Sequence, residues 1–346
     1  MRKIIATSLM AIMTMATIAG CTPAATTTTA AGTSAGTTTA GATTTAGATT
    51  TAGGKTYKVA FIARTQSDSF AAWLVNEMKT AAEKYPDIQL DVFDGQADDE
   101  KENAAIENAI TNGFDAIIIQ PNNGEAQRPY VEKVVAAGII AITTNARIKG
   151  IEGASSVDAD PYIQAKVNAE IALTEIPQNA KVVVLDGPSG NFHADERRRA
   201  WKAEFFDKRT DVQIVGEQIA NWNKDEAVQY MEDWVTANPQ IDAIISMNDN
   251  MAAGALEVVK GNDKFSKILS YGVDGTPEAT LLINDGTMTA TCLQSAIDLA
   301  EANIDTVHKL LTGQEKKIDM DIDAVLITKD NAKEYVDMYT ERGLIK

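Results

Sequence analysis

From Tyr57 onward the chain alternates between two hydrophobic periods. Short β-branched runs predict strands at YKVAFIA (57–63), IQLDVF (88–93), DAIIIQ (115–120) and IIAITT (139–144). Between them, apolar residues recur at three- and four-residue spacing, which predicts helices over 70–85, 99–113 and 125–138. Gly113 and Gly138 stand where the last two helices should stop, because glycine accepts the left-handed backbone of a helix end. The runs AIII and IIAI are apolar at every position. Both faces of such strands need covering, which marks parallel strands with helices on either side. The fold class is therefore α/β, with doubly wound parallel sheets.

The pattern then repeats. KVAFIARTQSDSFAAW from Lys58 is followed by KVVVLDGPSGNFHADERRRAW from Lys181, and DAIIIQPNN from Asp115 by DAIISMNDN from Asp242. GIIAITTN, ending at Asn145, is matched by KILSYGVD, ending at Asp274. Two lobes of the same topology follow. In such sheets ligands bind beyond the carboxyl ends of the strands. The residues there are Asp68, Phe70, Asn122, Asn123 and Asn145 in the first half. In the second half they are Asn191, His193, Arg197, Trp222, Asn248, Asp249 and Asp274. Amides, carboxylates and a guanidinium exchange hydrogen bonds with hydroxyls, and flat aromatics cover the C–H face of a ring. The set holds no nucleophile–base pair, no metal cage and no phosphate loop. It suits a neutral polyhydroxy ligand.

Composition narrows the class further. The formal net charge is −17, which argues against nucleic acid and against anionic lipid surfaces as partners. The histidines are His193 and His308, and the cysteines are Cys21 and Cys292. That inventory leaves almost no room for zinc hydrolysis or Ser-His-Asp chemistry, so no metal, no cofactor and no catalysis are expected. DMDIDA (319–324) opens like a calcium loop, but its sixth position is Ala324 and its twelfth is Asp330, and the alternation reads as a strand. Trp73, Trp201 and Trp234 fall at apolar places of helical period and are expected in the core, as is Cys292. Arg198 and Arg199 are expected to be solvated or paired. Asp249 is the expected cap of the helix that follows it, and His193 is open between pocket and rim.

The first 54 residues carry a different signal. Arg2 and Lys3 precede an apolar run, Ile4 to Ile18, too short to span a bilayer. It ends in IAGC, which resembles a bacterial lipoprotein cleavage site. The resemblance implies a signal peptide over 1–20, cleavage before Cys21 and lipid on Cys21. Residues 22–54 are almost all Thr, Ala and Gly. Such a tract cannot offset its ordering entropy by burial, and as a flexible coil it spans roughly 30 Å. GTSAG (32–36) fits a serine-hydrolase pattern but lacks any strand or helix around it. The chain is thus expected outside the cytoplasm, held to the outer face of the cell membrane by Cys21.

The leashed part resembles the periplasmic sugar-binding proteins of the ribose/galactose (type I) class over about residues 57–330. The resemblance rests on NDNMAAGALEVVK (248–260), YGVDGTPEATLLINDGTMTATCLQ (271–294), DERRRAW (195–201) and IANWNKDEAVQYM (219–231). It implies sugar contacts at Asp68, Phe70, Asn145, Asn191, His193, Arg197, Trp222, Asn248, Asp274 and Gln294. It also implies a three-segment hinge, with an N-terminal lobe of 55–157 plus 295–324 and a C-terminal lobe of 158–294 plus 325–346. The implied role is a monomeric solute-binding lipoprotein that delivers a small neutral sugar, as monosaccharide or short oligosaccharide, or a cyclitol, to an ABC transporter permease. The alternative is a receptor presenting a sugar or furanosyl signal to a chemoreceptor or sensor kinase. A sugar-responsive repressor would need an N-terminal DNA-binding helix pair, where this chain has a signal and a leash. The chain departs from the class at Ala71, where ribose-type members carry a second aromatic, and at His193, where galactose-type members carry a carboxylate. TEIPQNAK (174–181) leaves no room for their calcium loop. The smaller Ala71 is expected to open the site to a bulkier ligand such as a disaccharide.

Overall fold

The computed structural model describes residues 55–346. The signal segment, Cys21 and the Thr/Ala/Gly tract lie outside the described residues. The first half runs β1 (Tyr57–Ala63), α1 (Ser69–Ala82), β2 (Ile88–Asp94), α2 (Asp99–Thr111), β3 (Ala116–Ile119), α3 (Gly124–Ala136), β4 (Ile140–Asn145) and β5 (Ser155–Asp158). The second runs α4 (Pro161–Glu175), β6 (Lys181–Asp186), α5 (Phe192–Trp201), β7 (Gln213–Ile219), α6 (Lys224–Ala237), β8 (Ala243–Ser246), α7 (Asp249–Val259), β9 (Leu269–Asp274), α8 (Pro277–Asp285) and β10 (Ala290–Leu293). The chain closes with α9 (Ala296–Leu311), β11 (Asp319–Asp321), β12 (Val325–Thr328) and α10 (Ala332–Glu341).

Two 6-stranded sheets result, in the orders β11-β5-β4-β3-β1-β2 and β12-β10-β9-β8-β6-β7. Every pairing is parallel except β12 against β10. The apolar runs explain this. Ile117, Ile118 and Ile119 of β3 are all 0% exposed. Ile118 packs with Phe61 and Ile142 under α1 and α9, while Ile117 and Ile119 pack on the other face with Ile106 of α2 and Val131 of α3. Each buried isoleucine contributes about 1.5–3 kcal/mol. Gly113 and Gly138 end α2 and α3 with φ of 65° and 73°, as the sequence predicts.

The chain passes between the sheets three times, from β5 into α4, from β10 into α9 and from β11 into β12. In both sheets strand order reverses beside the first strand, β1 or β6, so the crevice of each opens at the carboxyl ends of those strands. Gly95, after β2, lets the next loop lie against the end of β1, because a Cβ there would come within 2.9 Å of the Arg64 carbonyl oxygen. Trp201 is fully buried, and Trp73 and Trp234 are 9% and 8% exposed, as expected of core residues. Cys292 is a free buried cysteine. DMD (319–321) is a strand.

Candidate functional site

Strand-end loops of both sheets deliver polar and aromatic side chains to one small cavity between the sheets, with about 20 Å³ of free room. From the first half come Asp68 and Phe70 at the start of α1, and Asn145 at the end of β4. From the second come Asn191 just before α5, His193 and Arg197 on α5, Trp222 after β7 and Asn248 before α7. Asp274 ends β9 and Gln294 follows β10. All ten sequence-predicted residues line the cavity.

Several do so because they are helix caps. Asp68 accepts from Ala71 N at 2.8 Å, Asn191 from His193 N at 3.1 Å and Asn248 from Met251 N at 3.0 Å. An Asx cap fixes the side chain at the strand-to-helix turn, where the ligand site of this topology lies. Asn145 and Trp222 take left-handed backbones, with φ of 65° and 60°, and Asp274 has φ 123°. Non-glycine residues persist there only when their surroundings hold them.

An eleventh lining residue, Arg64, escapes the sequence reading. It follows β1 directly and pairs with Asp68 four residues on, at the end of the same loop. Its signal in the sequence is its place at a strand end, in FIARTQSD. Two further expectations are corrected. Asp249 does not cap α7, since Asn248 does. Asp249 turns inward, accepting from Thr291 Oγ1 at 2.5 Å and Thr276 N at 2.8 Å, and so braces the loop after Asp274. Ala71 lies fully buried within α1 and does not line the cavity, so it opens no extra room.

The walls form one network. Arg197 donates to Met247 O at 2.7 Å, to Gln164 Oε1 at 2.9 Å and to Gln294 Oε1. It lies 3.6 Å from Asp274 Oδ1. Gln294 Nε2 donates to Asn145 Oδ1 at 2.7 Å, and His193 Nε2 lies 3.0 Å from Asn145 O. A carbonyl only accepts, so His193 carries its proton on Nε2 and presents Nδ1 as an acceptor. Burial, then the Arg197 and Arg64 charges, push His193 down to about 3, so the ring is neutral at physiological pH. Burial drives Asp274 up and Arg197 down, and the attraction between them opposes both shifts. Arg197 Nε, Trp222 Nε1 and Asp274 Oδ2 are buried without hydrogen-bond partners among the described residues. Orphaned donors and acceptors facing a cavity are groups a polar ligand would satisfy.

Behind Arg64, Glu102 is fully buried. Its Oε2 accepts from Asn122 N at 3.0 Å, while Oε1 has no partner among the described residues. Burial pushes its carboxyl up from an ordinary 4.5 to about 8, against the pull of the Asn122 N–H. A carboxyl raised by folding stabilises the protein fully below pH 4.5 and loses that contribution as pH climbs toward 8. Glu102→Gln is therefore expected to melt several degrees above the wild type at pH 8 and close to it at pH 5. Calorimetry at the two pH values checks this, and an unchanged difference between them would contradict the raised carboxyl.

Comparison with known proteins agrees with this architecture. The Periplasmic binding protein domain family matches residues 59–315, and the chain belongs to that family. It is 26% identical over 271 residues to the ribose import binding protein of Escherichia coli (strain K12), covering 78% of this chain and 90% of that protein. It is 29% identical over 242 residues to the D-apiose import binding protein of Actinobacillus succinogenes, covering 68% and 77%. Among solved structures, the Caulobacter myo-inositol binding protein bound to myo-inositol superposes with a TM-score of 0.75 at 25% identity, over 81% of this chain and 97% of that one.

Proposed function

We propose that this periplasmic binding protein family member captures a neutral sugar or cyclitol between two lobes and hands the closed complex to an ABC importer. The observation that carries the reading is the balance of the cavity wall. Two guanidinium groups, two carboxylates, a neutral imidazole, four amides and two aromatics surround one small space. A phosphate would meet Asp68 and Asp274, whereas hydroxyls find partners of both kinds. Ribose, apiose and inositol are what the similar proteins are named for, and each is a neutral polyol. The ten predicted contacts and Arg64 are the proposed ligand set. The proposed lobes are 55–157 with 295–324 and 158–294 with 325–346, hinged at the three crossings. Closure is a two-state motion biased by the ligand's preference for the closed form.

A thermal-shift screen of the full-length chain with pentoses, hexoses, inositols and their phosphates tests this. One neutral compound should raise the melting temperature with concentration as mass action requires. Stabilisation by phosphorylated, peptide or nucleotide ligands alone would overturn the reading.

The proposal includes the anchor. Cys21, with lipid attached, holds the domain outside the cell membrane, and no helix among the described residues is long and apolar enough to cross a membrane. Cys21→Ser should then release the protein from membranes on fractionation and leave its ligand affinity unchanged. Retention of the serine variant in the membrane pellet would instead indicate an uncleaved N-terminal helix.

A further inference from the structure

We propose that the ligand has two units, a neutral ring in the inner cavity and a second polyhydroxy unit, linked through a glycosidic oxygen, in a vestibule outside it. This rests on the reading that the inner cavity takes a neutral sugar or cyclitol. That cavity is tight, with about 20 Å³ of free room, so a second unit has no place within it. A second space of about 450 Å³ lies on the far side of Arg64, Asp68, Asn191 and Trp222, which line both. The doorway therefore has an ion pair on the side of the first sheet and an amide and an indole on the side of the second.

The vestibule has the chemistry of a second hydroxyl-binding site. Thr65, Ser67, Asp99 and Asn122 wall one side, and Ser189 and Asn221 belong to the other. Arg64 is the one cation among the lining residues, and it is already paired. Thr65 Oγ1 and Ser67 Oγ lie 2.8 Å apart, and Asn122 Nδ2 donates to Asp99 Oδ1 at 2.7 Å. These polar groups are held in place by one another, yet each keeps a free lone pair or N–H for a ligand. Such a wall neither attracts a phosphate nor covers an acyl chain. At the doorway Trp222 is turned with the benzo edge of its ring against Gly187, where a Cβ would come within 2.3 Å of it. Its Nε1–H is buried and without a partner among the described residues. A linking or ring oxygen passing the doorway supplies the missing acceptor. The extra room that the sequence reading assigned to Ala71 is thus found beyond Asp68 instead.

Isothermal titration calorimetry on the full-length chain tests this with paired probes: galactose, glucose and xylose against melibiose, lactose, maltose and xylobiose, and myo-inositol against galactinol. Ser189 is exposed and lines the vestibule alone. Ser189→Trp fills that space and leaves the inner wall intact, and its melting temperature controls for folding. The expected result is that one two-unit probe binds at least tenfold tighter than its one-unit counterpart, and that Ser189→Trp erases the difference without weakening the one-unit probe. A one-unit probe that binds tightly and loses affinity when extended overturns the two-unit proposal and leaves the neutral-ring reading standing. Failure of every neutral probe, with binding only of charged ligands, overturns both.

Discussion

Asp274→Asn is expected to weaken ligand binding by roughly ten- to a hundredfold while leaving the fold intact. Asp274 is 2% exposed, its Oδ1 faces Arg197 and its Oδ2 is unpartnered among the described residues. A hydrogen bond to a charged group contributes about 1.5–3 kcal/mol, and each 1.4 kcal/mol is about a tenfold change in affinity. Asparagine preserves shape and tolerates the φ of 123° better than most residues, so the carboxylate's charge is what the substitution removes. Arg197→Ala should cost at least as much. Its guanidinium is held by Met247, Gln164 and Gln294, and Nε alone is left without a partner. The two changes should not be additive. Removing either member leaves the other charge buried and poorly paired, so the double variant Arg197→Ala, Asp274→Asn should lose less stability than the separate losses suggest. Calorimetric titration of the three variants, with melting temperatures beside them, reads both effects. Affinity within twofold of wild type in a variant whose melting temperature falls would make the pair a structural ion pair and remove it from the ligand set.

The sheets were legible because their strands are apolar on both faces, a pattern that only a helix-covered parallel sheet explains. Strand β5 was not, because SSVD is mostly polar. Its serines are buried all the same, since Ser156 Oγ bonds Asp319 at 2.9 Å and Ser155 Oγ accepts from Ile318 N at 3.0 Å. Pairing with a strand 163 residues away leaves no local trace in sequence. The site was legible for a related reason. Cap residues at strand-to-helix turns are visible as Asp or Asn after an apolar run, and this topology aims those turns at the ligand. Arg64 lacked that mark. A basic residue directly after a strand reads as solvated, whereas Arg64 is buried against Asp68, a pairing that a four-residue loop spacing does not announce. Asp249 misled for the converse reason. Both Asn248 and Asp249 are good caps, and the sequence holds nothing to say that Thr291, 42 residues on, would draw one of them inward.

Trp222→Ala is expected to lower ligand affinity about thirtyfold and to remove most of the ligand-dependent change in tryptophan emission. The indole is 6% exposed and lies 5.7 Å from the Arg197 guanidinium carbon, measured to the ring centroid. It lines both the inner cavity and the vestibule, so it has both a face and an N–H to give a ligand. Truncating a buried aromatic anchor typically costs 2 kcal/mol or more, about thirtyfold in affinity. The other three tryptophans set the control. Trp201 is enclosed by Phe205 and Tyr271, and Trp234 stacks on Tyr230, so both should stay silent. Trp73 differs from them. It meets the cavity-lining Phe70 edge to face at 6.3 Å, so it should report a small residual change when Phe70 shifts against a ligand. Trp73→Phe should keep the main signal, and the Trp73→Phe, Trp222→Ala double variant should lose it. Trp222→Phe separates the two contributions. It retains an apolar cover but no N–H, and should bind more tightly than the alanine variant and more weakly than the wild type. The measurement is a ligand titration followed by emission in all four variants. Full affinity and full signal in Trp222→Ala would place the ring outside the ligand's reach, and would leave Phe70 as the cavity's one aromatic cover.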